Sequence, residues 1–239
     1  MKMRRKKEEK NDQMGLFSLP EEKTEKKKRG KTADSETIEN LTLHEFDLSK
    51  GKTVIGVDEA GRGPLAGNVV AAAVILKKYS SELDEINDSK QLSEKKREKL
   101  YDVIMKNFYV GIGEASPEEI DEVNILNATF LAMRRALRNL QRKCNIDHLV
   151  LIDGNFKIRE YAGKQEPVIK GDAKSLSIAA ASIIAKVTRD REMIEEGKNY
   201  PEYHFEKHKG YGTKAHREVL NLYGPVPIHR KSFLTKILK

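Results

Sequence analysis

From about residue 48 onward, short apolar runs alternate with longer amphipathic segments. The short runs are rich in Val, Ile, Ala and Leu and have the length of β-strands. They are residues 53–58, 68–76, 108–115, 148–153 and 167–171. A Gly/Pro turn separates the first two runs, which predicts a β-hairpin.

Three longer segments have the length and periodicity of helices. Ser93 predicts an N-cap for a helix that continues to about Asn107. Residues 117–142 carry an apolar stripe and predict the longest helix, and 173–195 predict a helix rich in Ala, Ser and Ile. The chain becomes polar from about residue 197 and ends in short predicted helices. This order predicts an α/β fold, a mixed β-sheet flanked by helices, with a C-terminal helical segment.

The first 45 residues have a different composition. Residues 1–31 contain twelve Lys or Arg and six Asp or Glu, a net charge of +6, which leaves about +2 of the total +8 for the remaining chain. Such a segment has too few apolar positions to offset its ordering entropy, so 1–45 is predicted to be a basic, disordered N-terminal extension and 48–239 the folded domain. The extension is either a tether for nucleic acid or a solvated segment without catalytic consequence.

Composition limits the location of the protein. The only cysteine among 239 residues is Cys144, which is consistent with a reducing compartment and predicts an inert thiol. No apolar run reaches the roughly 18 residues that a membrane helix needs. The basic N-terminus is not followed by the apolar region of a secretory signal. The expected location is the cytoplasm, without membrane contact.

The most informative stretch is residues 53–67, TVIGVDEAGRGPLAG. A strand-like run delivers Asp58 and Glu59 directly into a turn that contains Gly61, Arg62 and Gly63. Adjacent acids on a strand point to opposite faces, so they converge only where the strand ends. Arg62 adds a fixed cation of the kind that binds phosphate esters. The stretch therefore predicts metal-assisted chemistry on a phosphodiester.

Two further acids follow the same pattern. Asp153 ends the apolar run 148–153, and Asp172 lies at the predicted N-cap of the helix 173–195. Carboxylates without clustered His or Cys favour hard cations, so Mg²⁺ or Mn²⁺ is the expected cofactor. Asp190 lies well inside the helix and is predicted to form a helix-surface salt bridge instead.

The ten residues 58–67, DEAGRGPLAG, resemble the opening motif of ribonuclease HII, the type 2 ribonuclease H. The resemblance spans about residues 53–235. It implies a ribonuclease H-like fold and hydrolysis of RNA in RNA–DNA hybrids, with incision on the 5′ side of single ribonucleotides in duplex DNA. Two cations would participate, and the products would carry 3′-hydroxyl and 5′-phosphate ends.

The resemblance also implies roles for individual residues. The catalytic and metal-binding carboxylates would be Asp58, Glu59, Asp153 and Asp172. The ribose 2′-hydroxyl would be recognised by Gly61, Arg62 and Gly63, because bare backbone approaches a hydroxyl closely. Tyr211, in the motif HKGYGT at 208–213, would stack on the deoxyribose that follows the ribonucleotide.

Other resemblances are less specific. Lys90 would contact a phosphate, although Gln91 stands where the family usually has Lys. Asn124 either contacts the nucleic-acid backbone or caps a helix. Ser175 and Ser182 are interpreted as small residues for helix packing. The histidines near the C-terminus lack zinc-site spacing and are interpreted as structural or peripheral to the nucleic acid; they are His204, His208, His216 and His229.

Three alternatives compete. Ribonuclease HIII shares the fold, but it has an additional folded N-terminal domain and typically Glu as its fourth carboxylate. A non-catalytic nucleic-acid-binding module would have lost one of the four acids. A general metal-dependent nuclease would not need the ribose-reading residues. The expected protein is a monomer; a sliding-clamp contact has no support beyond a weak match at Ser232-Phe233-Leu234.

Overall fold

The computed structural model describes residues 41–86, 89, 92–235 and 237–238. Its centre is a five-stranded sheet with the order β3-β2-β1-β4-β5. The strands are β1 (Val54–Ala60), β2 (Val69–Leu76), β3 (Phe108–Ala115), β4 (Leu149–Asp153) and β5 (Gln165–Val168). The first three strands pair antiparallel, whereas β4 pairs parallel to β1 and β5 parallel to β4. The predicted mixed sheet is confirmed.

Helices cover both faces of the sheet. They are α1 (Leu43–Lys50), α2 (Glu94–Asn107), α3 (Pro117–Gln141), α4 (Leu176–Asn199), α5 (Phe205–His208), α6 (Lys214–Tyr223) and α7 (Lys231–Leu234). Side chains alternate along a strand, so Ile55 and Val57 pack toward α3 while the intervening Gly56 faces α4. A Cβ at Gly56 would lie 2.1 Å from the carbonyl carbon of Ser177, so glycine lets α4 approach β1 closely.

Caps explain where the long helices begin. The Ser116 hydroxyl accepts the Glu119 amide and the Glu119 carboxylate accepts the Ser116 amide, a capping box with Pro117 in the first turn of α3. Ser93 caps α2 as predicted. Ser175 caps α4, so this helix starts at Leu176 and not at residue 173.

Two other boundaries differ from the predictions. The last strand is Gln165–Val168 and not 167–171, because Lys170 adopts a left-handed conformation and Gly171–Ala173 forms a 3-10 turn. The folded domain also starts before residue 48. A capping box at Thr42 begins α1, and Phe46 is buried against Val54 and Ile178. Residues 1–40 of the predicted extension lie outside the described residues.

No described helix is both long and apolar enough to cross a bilayer.

Candidate active site

The strand ends bring the predicted acids to one edge of the sheet. Asp58 and Glu59 lie near the C-terminal end of β1, and Asp153 is the last residue of the parallel neighbour β4. The pairing of these strands ends at Val57 opposite Ile152, so Asp58 and Asp153 follow at the same level. This edge of an α/β sheet is where ligand sites commonly form.

Asp58 is the most enclosed of the four acids, with 4% of its surface exposed. Its Oδ1 accepts the Glu59 amide at 2.7 Å, and its carboxyl group hydrogen-bonds the Ser182 side chain. Burial raises the pKa of Asp58 well above its usual value, and the negative charges of Glu59 and Asp153 raise it further. These effects show that three carboxyl groups share one electrostatic environment.

A backbone contact places the fourth acid beside the third. The Asp153 Oδ1 accepts the Gly171 amide at 2.7 Å, and the next residue, Asp172, is 5% exposed. The prediction that Asp172 caps α4 is wrong, because Ser175 holds that position and Asp172 lies in the preceding 3-10 turn. In this turn, the backbone amide of Gly171 instead donates to the Asp153 carboxylate.

The donor chemistry of these four residues fits a hard divalent cation. All four supply carboxylate oxygens, and a cation would relieve the repulsion by Glu59 and Asp153 that, after burial, raises the pKa of Asp58. Among the described residues, no three Asp, Glu, His or Cys side chains are grouped closely enough to hold a metal ion as they stand. Arg62 touches this group, since its Nη1 donates to the Glu59 Oε1 at 3.2 Å.

The turn after β1 is held by two buried guanidinium groups. Gly61 and Gly67 have φ values of 94° and 83°, which side chains other than glycine rarely adopt. Arg230, 0% exposed, donates to the carbonyl oxygens of residues 61, 62, 64, 67 and 68 at 2.6–3.2 Å. Arg189, 1% exposed, donates to those of residues 66 and 68. The carbonyl oxygens of this turn therefore face the protein interior.

Tyr211 lies beside the same turn. A Cβ placed at Gly63 would be 3.8 Å from its Cε1, and the Arg189 guanidinium carbon is 6.0 Å from the ring centroid. The Leu65 amide donates to the carbonyl of Gly210, which joins the two segments through their backbones. The tyrosine is 45% exposed and can present its ring to a ligand. The turn and Tyr211 thus form one surface.

Two predicted substrate contacts are not placed on this surface. Lys90 lies outside the described residues. Asn124 interrupts α3 with a φ of 67°, and its Oδ1 accepts the amides of Leu126 and Asn127. It therefore caps the second part of the helix, the structural alternative that the sequence had left open.

Several residues outside the predicted site contribute to its geometry. Ser182, interpreted from sequence as a packing residue, bonds both Asp58 and the Ser89 hydroxyl. Ser182 lies six residues after Leu176, less than two turns into α4, and its place in this helix was a signal that the sequence did contain. The two buried arginines gave no such signal, because arginine is usually exposed. Asp190 pairs with Lys186 at 2.6 Å, which confirms the predicted salt bridge, but Asp190 is buried and does not lie on the helix surface.

Known proteins share the sequence and the fold of this chain. A family model described as Ribonuclease HII matches residues 55–236. The ribonuclease HII of Fusobacterium nucleatum subsp. nucleatum is 66% identical over 206 residues, 85% of this chain and 95% of that protein. In the PCNA:RNase HII complex from Archaeoglobus fulgidus, the similar chain gives a TM-score of 0.63 at 25% identity, with 78% of this chain and 97% of that chain covered. Ribonuclease H2 from Pyrococcus horikoshii OT3 gives a TM-score of 0.61 at 30% identity, with 77% of this chain and 96% of that chain covered.

The fold, with acids at neighbouring strand ends, defines an enzyme of the ribonuclease H class. Enzymes of this class act on RNA–DNA hybrids and depend on divalent metal ions. The family model covers most of the chain and the Fusobacterium protein matches nearly along its whole length, so the chain belongs to the ribonuclease HII family.

Proposed function

We propose that this protein is an endoribonuclease that hydrolyses the RNA strand of RNA–DNA hybrids and incises duplex DNA on the 5′ side of a single embedded ribonucleotide. The products would carry 3′-hydroxyl and 5′-phosphate ends. The observation that carries the proposal is the buried Asp58, which shares its environment with Glu59 and Asp153, while Asp172 is placed next to Asp153 through Gly171. Four oxygen donors at one sheet edge suit phosphodiester hydrolysis.

The proposed cofactor is Mg²⁺ or Mn²⁺, two per site, held by the carboxylates of Asp58, Glu59, Asp153 and Asp172. When bound, such cations activate water and stabilise the departing oxygen. The chain's own residues orient the carboxyl groups that would hold the cations. Ser182 and the Glu59 amide hold the Asp58 carboxyl, and the Gly171 amide holds that of Asp153. Arg62 is 49% exposed at its side chain and can reach a phosphate while it contacts Glu59.

Recognition of ribose is proposed for the surface formed by the Gly61–Gly63 turn and Tyr211. The carbonyls of the turn face the buried arginines, and the glycines leave its outer side bare for close approach by a 2′-hydroxyl. The Tyr211 ring would stack on the sugar that follows. Contacts from Lys90 and Asn124 to the nucleic-acid backbone remain part of the proposal on the resemblance alone.

The test uses a labelled DNA duplex with one ribonucleotide, in Mg²⁺ and then in Mn²⁺. Wild type should cut on the 5′ side of the ribonucleotide, and Asp153→Asn should lose cleavage by a factor of about 10³ or more. The matched control is Asp190→Asn, which removes a carboxylate that pairs with Lys186 on the helix and should retain cleavage. Isothermal titration with Mn²⁺ would show whether Asp153→Asn also loses metal binding.

Each alternative function has its own outcome in this assay. A folded wild type that binds the duplex and cuts it in neither metal would be a nucleic-acid-binding module. Equal cutting of the all-DNA control would identify a general nuclease. Gel filtration with light scattering tests the proposed monomer.

A sliding-clamp contact through Ser232-Phe233-Leu234 is not favoured by the packing of this segment. The Ser232 amide donates to Asp121 at 2.9 Å, Leu234 is buried, and Phe233 packs under Arg230. A clamp peptide needs side chains that are free to dock, whereas these side chains belong to the fold. The PCNA complex is a property of the Archaeoglobus protein.

A further inference from the structure

Three histidines form a buried cluster directly behind Tyr211. The rings of His208 and His216 stack with centroids 4.4 Å apart, and the Nε2 atoms of His216 and His229 lie 3.0 Å apart. His216 is 0% and His229 3% exposed. Tyr203 and Phe205 pack around these rings. The proposed function gives this cluster no task.

The hydrogen bonds fix the tautomers of two of these rings. The His216 Nδ1 lies 3.0 Å from the carbonyl oxygen of Tyr211, which can only accept, so this nitrogen carries the proton. In a neutral ring the His216 Nε2 is then an acceptor, and the facing Nε2 of His229 must donate. The remaining Nδ1 of His229 lies 3.0 Å from the Val226 amide and 3.1 Å from the Val226 carbonyl oxygen. That carbonyl already accepts the His229 backbone amide, whereas the Val226 amide can only donate, so the Nδ1 accepts from it. All four nitrogens are satisfied when both rings are neutral.

Burial favours that neutral state. Burial, with a smaller contribution from the charge of His208, lowers the pKa of both His216 and His229 to about 4. The third ring is arranged in the same way, since the His208 Nδ1 accepts the Gly210 amide and its Nε2 lies 2.7 Å from the Tyr203 carbonyl. If His216 took up a second proton, its Nε2–H would face the Nε2–H of His229, and two donors would then oppose each other at 3.0 Å.

We propose that His216 and His229 are positioning residues that fix Tyr211 through a relay of two neutral imidazoles ending on the Tyr211 carbonyl oxygen. The proposal rests on the role given above to Tyr211 in substrate recognition. The relay sets the position of the tyrosine over the turn proposed to recognise ribose. It takes no part in the hydrolysis of the phosphodiester.

The far end of the relay is attached to that same turn. His229 forms a β-bridge with Ala66, the Gly67 amide donates to the Ile228 carbonyl, and the Arg230 amide donates to the Leu65 carbonyl. The two sides of the recognition surface are therefore joined at the backbone of Gly210, through Arg189, which donates to the carbonyls of Ala66 and Lys209, and through the imidazoles. A relay of this kind sets the distance between the Tyr211 ring and the turn.

The first experiment measures the position of Tyr211 directly. The chain has eight tyrosines, so protein labelled with 3-fluorotyrosine would give a set of ¹⁹F resonances in which Tyr211 is assigned by Tyr211→Phe. His216→Phe removes the donor and keeps a ring, whereas His216→Asn retains an N–H near the Nδ1 position. We expect the Tyr211 resonance to shift or broaden in His216→Phe and to return in His216→Asn. An unchanged resonance in folded His216→Phe overturns the relay.

Folding is controlled separately, because His216 is buried. Thermal unfolding would set a temperature at which each variant is folded, and His229→Gln, which can retain a donor near Nε2, provides a second variant if His216→Phe does not fold. His229→Gln should preserve the Tyr211 resonance and His229→Leu should alter it. The same altered resonance in both overturns the proposal.

The second experiment measures the effect on substrate choice. The ratio of kcat/KM on a single-ribonucleotide duplex to kcat/KM on an all-RNA hybrid strand should fall about fivefold in His216→Phe, as expected for one lost hydrogen bond. The Thr213 amide still donates to the Tyr211 carbonyl, so a larger loss is not expected. A merely structural role would lower both kcat/KM values together and leave the ratio unchanged, which contradicts the proposal.

A double-mutant cycle separates the relay from the proposed function. If His216 acts through Tyr211, His216→Phe should not change the ratio further in a Tyr211→Ala background. Additive effects overturn the proposal. A shifted Tyr211 resonance together with a ratio that Tyr211→Ala leaves unchanged would preserve the relay and refute the substrate role of the tyrosine.

Discussion

Replacing Arg230 by Met should destabilise the protein more than any exposed arginine substitution. The Arg230 guanidinium donates to Gly61 at 2.6 Å, to Pro64 at 2.8 Å and to Gly67 at 2.7 and 2.9 Å, with a longer bond to Arg62. Methionine fills similar volume but donates to none of these carbonyls. The turn would then contain several buried oxygens without this donor.

Two opposing effects decide the magnitude. Four carbonyl oxygens lose the donor while that of Asn68 keeps Arg189, and at ~1 kcal/mol each the loss is about 4 kcal/mol. Removal of the charge acts in the other direction, because burial and the charge of Arg189 lower the pKa of Arg230 to about 9. Since four buried carbonyl oxygens would be left without this donor, we expect the loss to dominate, with a net destabilisation of about 3 kcal/mol.

Urea unfolding followed by circular dichroism would measure this difference. The matched control is Arg217→Met, because Arg217 is exposed and its Nε donates to one carbonyl, that of Gly212, at 3.0 Å. The control should lose less than ~0.5 kcal/mol. A loss below ~1 kcal/mol for Arg230→Met, or one equal to the control, would refute the argument that this arginine holds the turn.

Three further predictions concern other parts of the fold. Gly61→Ala should lower the unfolding free energy by ~2 kcal/mol or more and reduce incision at a single ribonucleotide. The reason is that φ is 94° at Gly61 and a Cβ there would lie 2.1 Å from the Arg189 Nε. A variant with wild-type activity and stability would contradict this. The unfolding free energy should fall between pH 6.5 and 4 by ~3 kcal/mol per histidine, because His216 and His229 stay neutral in the folded state while the unfolded chain takes up protons; an unchanged slope in His229→Phe would count against it. Asp47→Ala should cost ~2 kcal/mol in chemical unfolding, because its carboxylate accepts a hydroxyl and an amide at the start of α4; an effect as small as that of an exposed Asp would show that α1 is dispensable.

The sheet and its acidic edge could be predicted because local patterns encode them. Strand-length apolar runs end at Asp58 and Asp153, and the ends of neighbouring parallel strands meet at one edge. The boundary errors arise where a short irregular turn lies next to a regular element. The 3-10 turn Gly171–Ala173 has no periodicity of its own, so the start of α4 was predicted three residues too early, and Asp172 was taken for its cap.

The support of the recognition surface could not be predicted in the same way. Arg189 and Arg230 resemble surface residues in sequence, and their partners are backbone carbonyls that carry no residue identity. The His216–His229 pair is likewise formed between α6 and a residue beyond it, and nothing in either segment marks the two histidines as partners. Both arrangements depend on tertiary contacts, whereas Gly61 and Tyr211 were found because they lie within motifs.

The attachment of the turn to Arg230 has a consequence for the order in which the enzyme becomes competent during synthesis. The four acids are all present once residue 172 has been made, but the donor to the Gly61 carbonyl is Arg230, which follows Gly61 by 169 residues and comes well after Asp172. The nascent protein therefore carries its acids long before it can hold the segment proposed to recognise ribose. A chain released after residue 172 but before residue 228 would retain all four carboxylates and lack the contacts of Arg230 to the turn, so unfinished copies should be poor at selecting a ribonucleotide.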